Sequence, residues 1–502
     1  MLPSTPDSAL PAVHLHIGAH ALSEGSGGTF EHRNPSTGQV QARVPLAGPE
    51  EIHQAIAAAS AAFDTWRRCK PAQRRDLLLR LADLLAAHEA QFTRVAALEN
   101  GAPVRSGGGR AHIAQQWTRY YAGWADKLEG SVTGAFIRGE DFTYTQPEPY
   151  GVIGVIITWN VPLVSLCMKV IPALAAGNCV VIKPSEYTPF TPELFTRLAR
   201  EAGIPAGVIN TLPGTAAAGN ALVAHRHIEK VTFTGGPATA RKILATCAEH
   251  LKPSVMELGG KSANIVFADA ELDSAVRDAV AMGLSAMSGQ ACILGSRILV
   301  QRSIYAAFLD KLVSAARQLP CGDPNDPTVS FGPVINAQSC ERILAMIQRA
   351  VDQGDGRLLL GGARMGGEFA NGYFIEPTLF ADVDPNSDLA QHEVFGPVLC
   401  VIPFDHEAQA IAIANNTRFG LAAYIHSRDV SRVHRVAGQL LAGSVYVNGA
   451  MPVPAHSPFG GQGESGFGRE GGKPGLDEFI RPKTVSIAPS NNNNAAEQEI
   501  TP

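Results

Sequence analysis

Apolar positions recur three and four residues apart over much of the first hundred residues. Residues 49–67 carry Ile52, Ala55, Ile56, Ala59 and Phe63, and residues 71–98 carry Leu77, Leu78, Leu81, Leu84 and Leu85. Both spacings predict amphipathic helices, and a third helical stretch is expected near 109–127. Ahead of them, residues 1–48 read as a loose arm followed by short strands with turns such as 34–39. Residues 142–151 alternate aromatic and polar positions around Pro147 and Pro149, the pattern of an exposed strand or hairpin.

From residue 152 the pattern changes. Short apolar runs at 152–157, 179–183, 208–212, 230–234 and 264–267 alternate with helical segments, which predicts a parallel, doubly wound α/β sheet. A second α/β set follows. Its helices are expected over 271–288, 303–317 and 336–353, and its strands near 297–301, 373–382, 397–403, 421–426 and 443–447. The polar, low-complexity segment 489–502 is expected to be disordered.

Composition narrows the function classes. The chain has 502 residues, 45% of them hydrophobic, so more than one core is expected. A net charge of −5 and the lack of a Lys/Arg block argue against nucleic acid or an anionic membrane as partner. The 8 cysteines are scattered without a CxxC or a paired Cys/His spacing, so no structural zinc, no other metal site and no disulfide framework are expected. With no secretory leader pattern at the N-terminus, a cytoplasmic location is the expectation.

Local patterns single out five places for chemistry. In VTFTGGPATARKI a strand ends at Thr234, Gly235 and Gly236 turn the chain, and a helix starts near Pro237. This is either a pyrophosphate cradle at a helix N-terminus or an ordinary tight turn. Lys183 and Glu186 follow a strand end, where a carboxylate can accept from a ribose diol and repel a 2′-phosphate, unless both are merely solvated. Asn160 follows another strand, as an oxyanion donor or a helix cap. Glu257, before Gly259 and Gly260, is a candidate general base or a plain loop glutamate. Cys292, in SGQACILGSR, is a candidate nucleophile, although most lone cysteines are small buried hydrophobes.

These motifs occur together and in order, and with FGPVI, EVFGPV, NNTRFGLAA and PFGGQGESGFGREGG they resemble the aldehyde dehydrogenase superfamily over roughly residues 30–488. The resemblance implies an NAD-dependent, non-acylating enzyme in which Cys292 attacks the aldehyde. Asn160 and the Cys292 amide would hold the oxyanion, and Glu257 would activate the water that hydrolyses a thioester. It implies a cofactor site at Ile157, Thr158, Trp159, Lys183, Ser185, Glu186, Gly214, Gly219, Thr234, Gly235, Gly236, Leu258, Gly259, Glu393 and Phe395. NAD is favoured over NADP because of Glu186. The fold implied has a Rossmann-like cofactor domain at 1–127 and 151–258 and a catalytic domain at 259–477. A β bridging element at 128–150 and 478–488 would build a homodimer or homotetramer. The sequence departs from the family pattern at Gly236, Pro237 and Ala240 in the phosphate turn, at His392 and at Gly463.

By the same resemblance the substrate tunnel is formed by Val161, Val164, Ser165, Met168, Ala291, Ile293, Met451, Val453 and Phe459. None is charged, so an aromatic or medium-chain apolar aldehyde is expected, and a semialdehyde carrying a carboxylate would lack a cationic partner among these positions. A CoA-acylating enzyme and a non-catalytic homologue are the competing readings. The retained Glu257, and the trio Asn160, Glu257 and Cys292, weigh against them.

Overall fold

The computed structural model describes residues 10–106, 110–133, 142–449 and 453–488. The expectation for 489–502 and the tunnel position Met451 lie outside the described residues.

The apolar runs are strands because both faces are covered. Val152–Ile156 is buried throughout, and Cys179–Lys183 is buried up to its last residue. They belong to an eight-stranded sheet in which Ser254–Glu257, Lys230–Thr234, Val152–Ile156, Cys179–Lys183 and Ile209–Thr211 run parallel in that spatial order. Gly466–Phe467 adds antiparallel at one edge, and the N-terminal strands Leu15–Ile17 and His20–Leu22 at the other. Chain order reverses between Val152–Ile156 and Lys230–Thr234, so a crevice opens beyond their carboxyl ends, where open α/β sheets take ligands. The predicted amphipathic helices appear as Pro49–Arg68, Pro71–Ala87, Glu89–Asn100 and Ala111–Ala122.

A second, seven-stranded sheet runs in the order Arg357–Leu360, Thr378–Ala381, Val398–Phe404, Arg297–Gln301, Ala263–Val266, Ala422–His426, Ser444–Val447. It is parallel except at Arg357–Leu360. An antiparallel ribbon of Val132–Thr133, Phe142–Pro149 and Ile480–Ile487 stands apart from both sheets.

The structure corrects three expectations. The run at 264–267 belongs to the second sheet, not the first; its partners are Arg297–Gln301 and Ala422–His426. Ser254–Glu257, read from sequence as loop, is a strand of the first sheet, held by parallel pairing to Lys230–Thr234. The helix expected over 271–288 stops at Val280; a π-turn at Ala281–Ser285 and a kinked turn at Ala286–Gly289 replace its end. Two close approaches accompany the break. A Cβ on Gly283 would lie 2.5 Å from the Leu399 side chain, and one on Gly289 would lie 2.1 Å from the Gly396 carbonyl. Met287 and Ser288 adopt φ +52°, and Ser288 Oγ donates to the Gly332 carbonyl at 2.7 Å. The distortion delivers the chain to Cys292.

Candidate active site

The loop carrying Cys292 is fixed from several sides. The Gln290 carbonyl accepts from Asn160 Nδ2 at 2.9 Å. The Gln290 side chain bridges the Met287 carbonyl, at 2.8 Å, and the Ile335 amide, at 3.0 Å. Tyr424 OH donates to the Ile293 carbonyl at 2.8 Å. Beneath the loop, a Cβ on Gly260 would lie 2.2 Å from the Cys292 carbonyl, so only glycine permits that contact.

Asn160 sits in the turn between Val152–Ile156 and the wholly buried helix Pro162–Ala175. Asn100 Nδ2 donates to the Trp159 and Asn160 carbonyls, at 3.2 and 3.1 Å, and holds the turn. The Gln290 carbonyl can only accept, so the Asn160 amide must present its nitrogen there. The second N–H of that nitrogen stays free.

Glu257 ends its strand 3% exposed and lines the same cavity wall as Cys292. Burial raises its pKa well above the carboxylate range, with a further push from Glu470; Lys169, Arg469 and the thiol act the other way. Burial and the nearby carboxyls of Glu257 and Glu393 likewise raise the Cys292 pKa. The resting pair therefore holds its proton, and the thiolate must be made when substrate is present. Sequence reasoning missed the supporting pair. Lys169, wholly buried, pairs with Glu470 and donates to Thr232 Oγ1 at 3.1 Å. A lone lysine in an otherwise apolar helix was the available signal.

A cavity of about 420 Å³ opens on this group. Its walls include every predicted tunnel residue among those described: Val161, Val164, Ser165, Met168, Ala291, Ile293, Val453 and Phe459. They also include Thr158, Trp159, Thr234, Gly235, Gly236, Leu258, Gly259, Glu393 and Phe395 of the expected cofactor set. Ile157, Lys183, Ser185, Glu186, Gly214 and Gly219 lie off this wall. Ile157 N donates to the Lys183 carbonyl at 3.3 Å, and Lys183 pairs with Glu186 at 3.7 Å. Ser185 Oγ accepts from the Tyr187 amide at 3.2 Å. Gly214 precedes the helix Ala216–Ala224, which contains Gly219. Arg110 and Ile113 also line the cavity, which the sequence reading did not foresee. The tunnel positions named from sequence are uncharged; the cavity as a whole is not.

The phosphate turn fits an anion. Gly236 starts the helix Pro237–Glu249, and no side chain caps it. Gly235 is packed on the Phe233 ring, where a Cβ would sit 2.4 Å from the ring edge, while a Cβ on Gly236 meets nothing within 4 Å. Glu393 accepts from the Gly260 amide at 2.9 Å. Burial pushes its pKa up to about 7, against that amide and the cations Lys261 and Arg342. Phe395 (φ +52°) meets Trp159 edge-on at 5.4 Å.

The chain matches the aldehyde dehydrogenase family over residues 22–485. It belongs to that family. Aldehyde dehydrogenases are oxidoreductases acting on the aldehyde group. The chain is 41% identical to an aldehyde dehydrogenase of Aspergillus niger, covering 94% of each chain. It is 40% identical to human retinal dehydrogenase 2, covering 97% of this chain and 94% of the relative. The solved NAD⁺ complex of an aldehyde dehydrogenase from Bacillus cereus superposes with a TM-score of 0.93 at 36% identity, over 97% of this chain and 99% of the other.

Proposed function

We propose that this aldehyde dehydrogenase uses NAD to oxidise an aldehyde with an apolar body, aromatic or of medium length, to the carboxylic acid. The observation that carries the reading is the convergence of the Cys292 thiol, the buried Glu257 carboxyl and the Asn160 amide on one cavity wall.

Glu257 takes the Cys292 proton as sulfur bonds to the carbonyl carbon. The electron pair of the broken C=O π bond moves to oxygen, where the second Asn160 N–H and the Cys292 amide stabilise it. NAD, when bound, supplies the hydride acceptor that converts the thiohemiacetal to a thioester. Once Glu257 has released that proton to solvent, it takes a second one from water, which attacks the thioester and displaces the Cys292 thiolate. A base whose pKa lies above the ordinary carboxylate range suits both transfers near neutral pH. Lys169 neutralises Glu470 nearby and limits the cost of so many buried carboxyls. Lys183 and Glu186 would hold the adenosine ribose, the Gly235–Gly236 turn and its helix would hold the pyrophosphate, and Glu393 and Phe395 would hold the nicotinamide end.

The test is product analysis with CoA present. Carboxylic acid, no acyl-CoA and no NADH from Cys292→Ser are expected; acyl-CoA as main product overturns the hydrolytic reading, and wild-type NADH formation by Cys292→Ser overturns the mechanism.

Among the described residues the strand Ile480–Ile487 is one edge of the ribbon. Exposed edges invite strand pairing, which supports a homodimer or homotetramer. Among the described residues no helix is long and apolar enough to cross a membrane.

A further inference from the structure

We propose that Arg110 receives a carboxylate at the far end of the substrate, so that the aldehyde oxidised at Cys292 is an aromatic or unsaturated semialdehyde acid and the product a dicarboxylate. The proposal rests on the oxidation reading above and narrows its substrate class.

Among the described residues lining the cavity Arg110 is the one cation; the other charged groups there are the carboxyls of Glu257, Glu393 and Glu470. Among the described residues it forms no ion pair, and its buried Nε has no hydrogen-bond partner. Burial weakens its hold on the proton, and no neighbouring acid offsets that. Buried charges in folded proteins are paired, so a guanidinium left open toward a cavity is matched to a ligand that brings the negative charge.

The backbone gives a second, independent sign. Arg110 adopts φ +48° and ψ +36°, a left-handed conformation that a side chain with a Cβ takes at a cost. It stands directly before the helix Ala111–Ala122, whose Ile113 lines the same cavity. Non-glycine residues held there cluster at ligand clamps, and an observed outlier of this kind points to function.

The rest of the lining fixes the shape of the substrate. Ile113, Val161, Val164, Met168, Val453 and Phe459 are apolar and suit a flat or unsaturated carbon body with no charge of its own. Where the Glu257 and Glu393 carboxyls ionise they repel an anion entering the cavity, and Arg110 supplies the offsetting charge. A cationic aminoaldehyde would meet that charge unfavourably. Arginine suits the task because its planar fork matches a carboxylate in two parallel hydrogen bonds, which a lysine cannot do.

The test compares 4-carboxybenzaldehyde with 4-methylbenzaldehyde, nearly equal in shape, under saturating NAD. In the wild type the carboxylated aldehyde should have the higher kcat/KM by at least about 10-fold. Arg110→Met should lower its kcat/KM on the order of 100-fold, mainly through KM, and leave the neutral aldehyde within about threefold. Arg110→Lys should fall between the two. Arg110→Gly, which keeps the left-handed backbone free of strain, should behave as Arg110→Met. Turnover of the neutral aldehyde reports in each preparation that the fold and the catalytic centre are intact. A wild type that oxidises 4-methylbenzaldehyde at least as well as the carboxylated partner overturns the Arg110 assignment and leaves the oxidation reading standing. So does an Arg110→Met variant that loses equally on both aldehydes, or whose loss lies in the KM for NAD. Failure to form NADH with either aldehyde overturns the oxidation reading and this inference with it.

Discussion

Asn160→Ala should separate catalysis from stability. The side chain offers two N–H groups; one holds the Gln290 carbonyl at 2.9 Å, and the residue lines the cavity. Truncation therefore removes a loop anchor and an oxyanion donor together, but the two losses differ in size. The loop keeps the Gln290 bonds to Met287 and Ile335 and the Tyr424 bond to Ile293. The structural loss is then one net hydrogen bond, about 0.5–1.5 kcal/mol, or a few degrees in Tm for a chain this large. Losing an oxyanion donor costs about 2.7–4 kcal/mol in the transition state, which is about 10²–10³ in rate. The assay is the single-turnover rate of NADH formation, which reports acylation of Cys292. Beside it runs the rate of Cys292 alkylation by iodoacetamide, which reports whether the thiol has moved. NADH formation should slow about 10²–10³-fold while alkylation stays within about threefold. A slowing below 10-fold, or one matched by alkylation, would refute the reasoning, because Asn160 would then act only as a loop strut.

Further outcomes follow from single residues. Gly236→Ser should fold normally, because a Cβ there meets nothing within 4 Å and the backbone is ordinary at φ −77° and ψ +149°. Its hydroxyl should tighten NAD binding several-fold in a fluorescence titration; weaker binding counts against the pyrophosphate placement. Glu186→Ser should raise the NADP-to-NAD ratio of kcat/KM by at least about 10-fold, since it removes the charge repelling a 2′-phosphate and frees Lys183 from its 3.7 Å pair. An unchanged ratio would move the ribose elsewhere. Glu99 is fully buried, accepts from the Phe190 and Thr191 amides at 2.7 and 3.1 Å, and burial raises its pKa to about 7. A carboxyl with a raised folded-state pKa contributes stability below its unfolded value near 4.5, lost as pH rises through 7. That loss is on the order of 3 kcal/mol. Glu99→Gln lacks it, so the Tm difference, variant minus wild type, should grow from pH 5 to pH 8; a pH-independent difference contradicts the linkage.

Much of the site was legible because its parts are short motifs at strand ends. The runs 152–157, 179–183 and 230–234 are apolar enough to be strands wherever they pack, and the turns after them carry Asn160, Lys183, Glu186, Gly235 and Gly236. Other features had no local signature. Ser254–Glu257 is only four residues long, and parallel pairing to Lys230–Thr234 makes it a strand. The run 264–267 would read the same in either sheet, and its place is decided by hydrogen bonds to strands far along the chain. Apolar spacing continues through Leu284 and Met287, so periodicity could not see the helix end that the Leu399 and Gly396 contacts impose.

The amino-acid sequence by itself determined the α/β class, the order of the elements and the kinds of side chain available for chemistry, because these follow from local spacing and turn residues. The tertiary structure alone decided what those side chains meet. Asn160 and Gln290 touch across 130 residues, and Lys169 and Glu470 across 301. Arg110 gives no sign in the sequence of being other than a solvated cation; only folding sets it, unpaired, in the wall of the cavity onto which Cys292 opens. Burial and electrostatic partnership are properties of neighbours in space, and the pattern along a chain does not contain them.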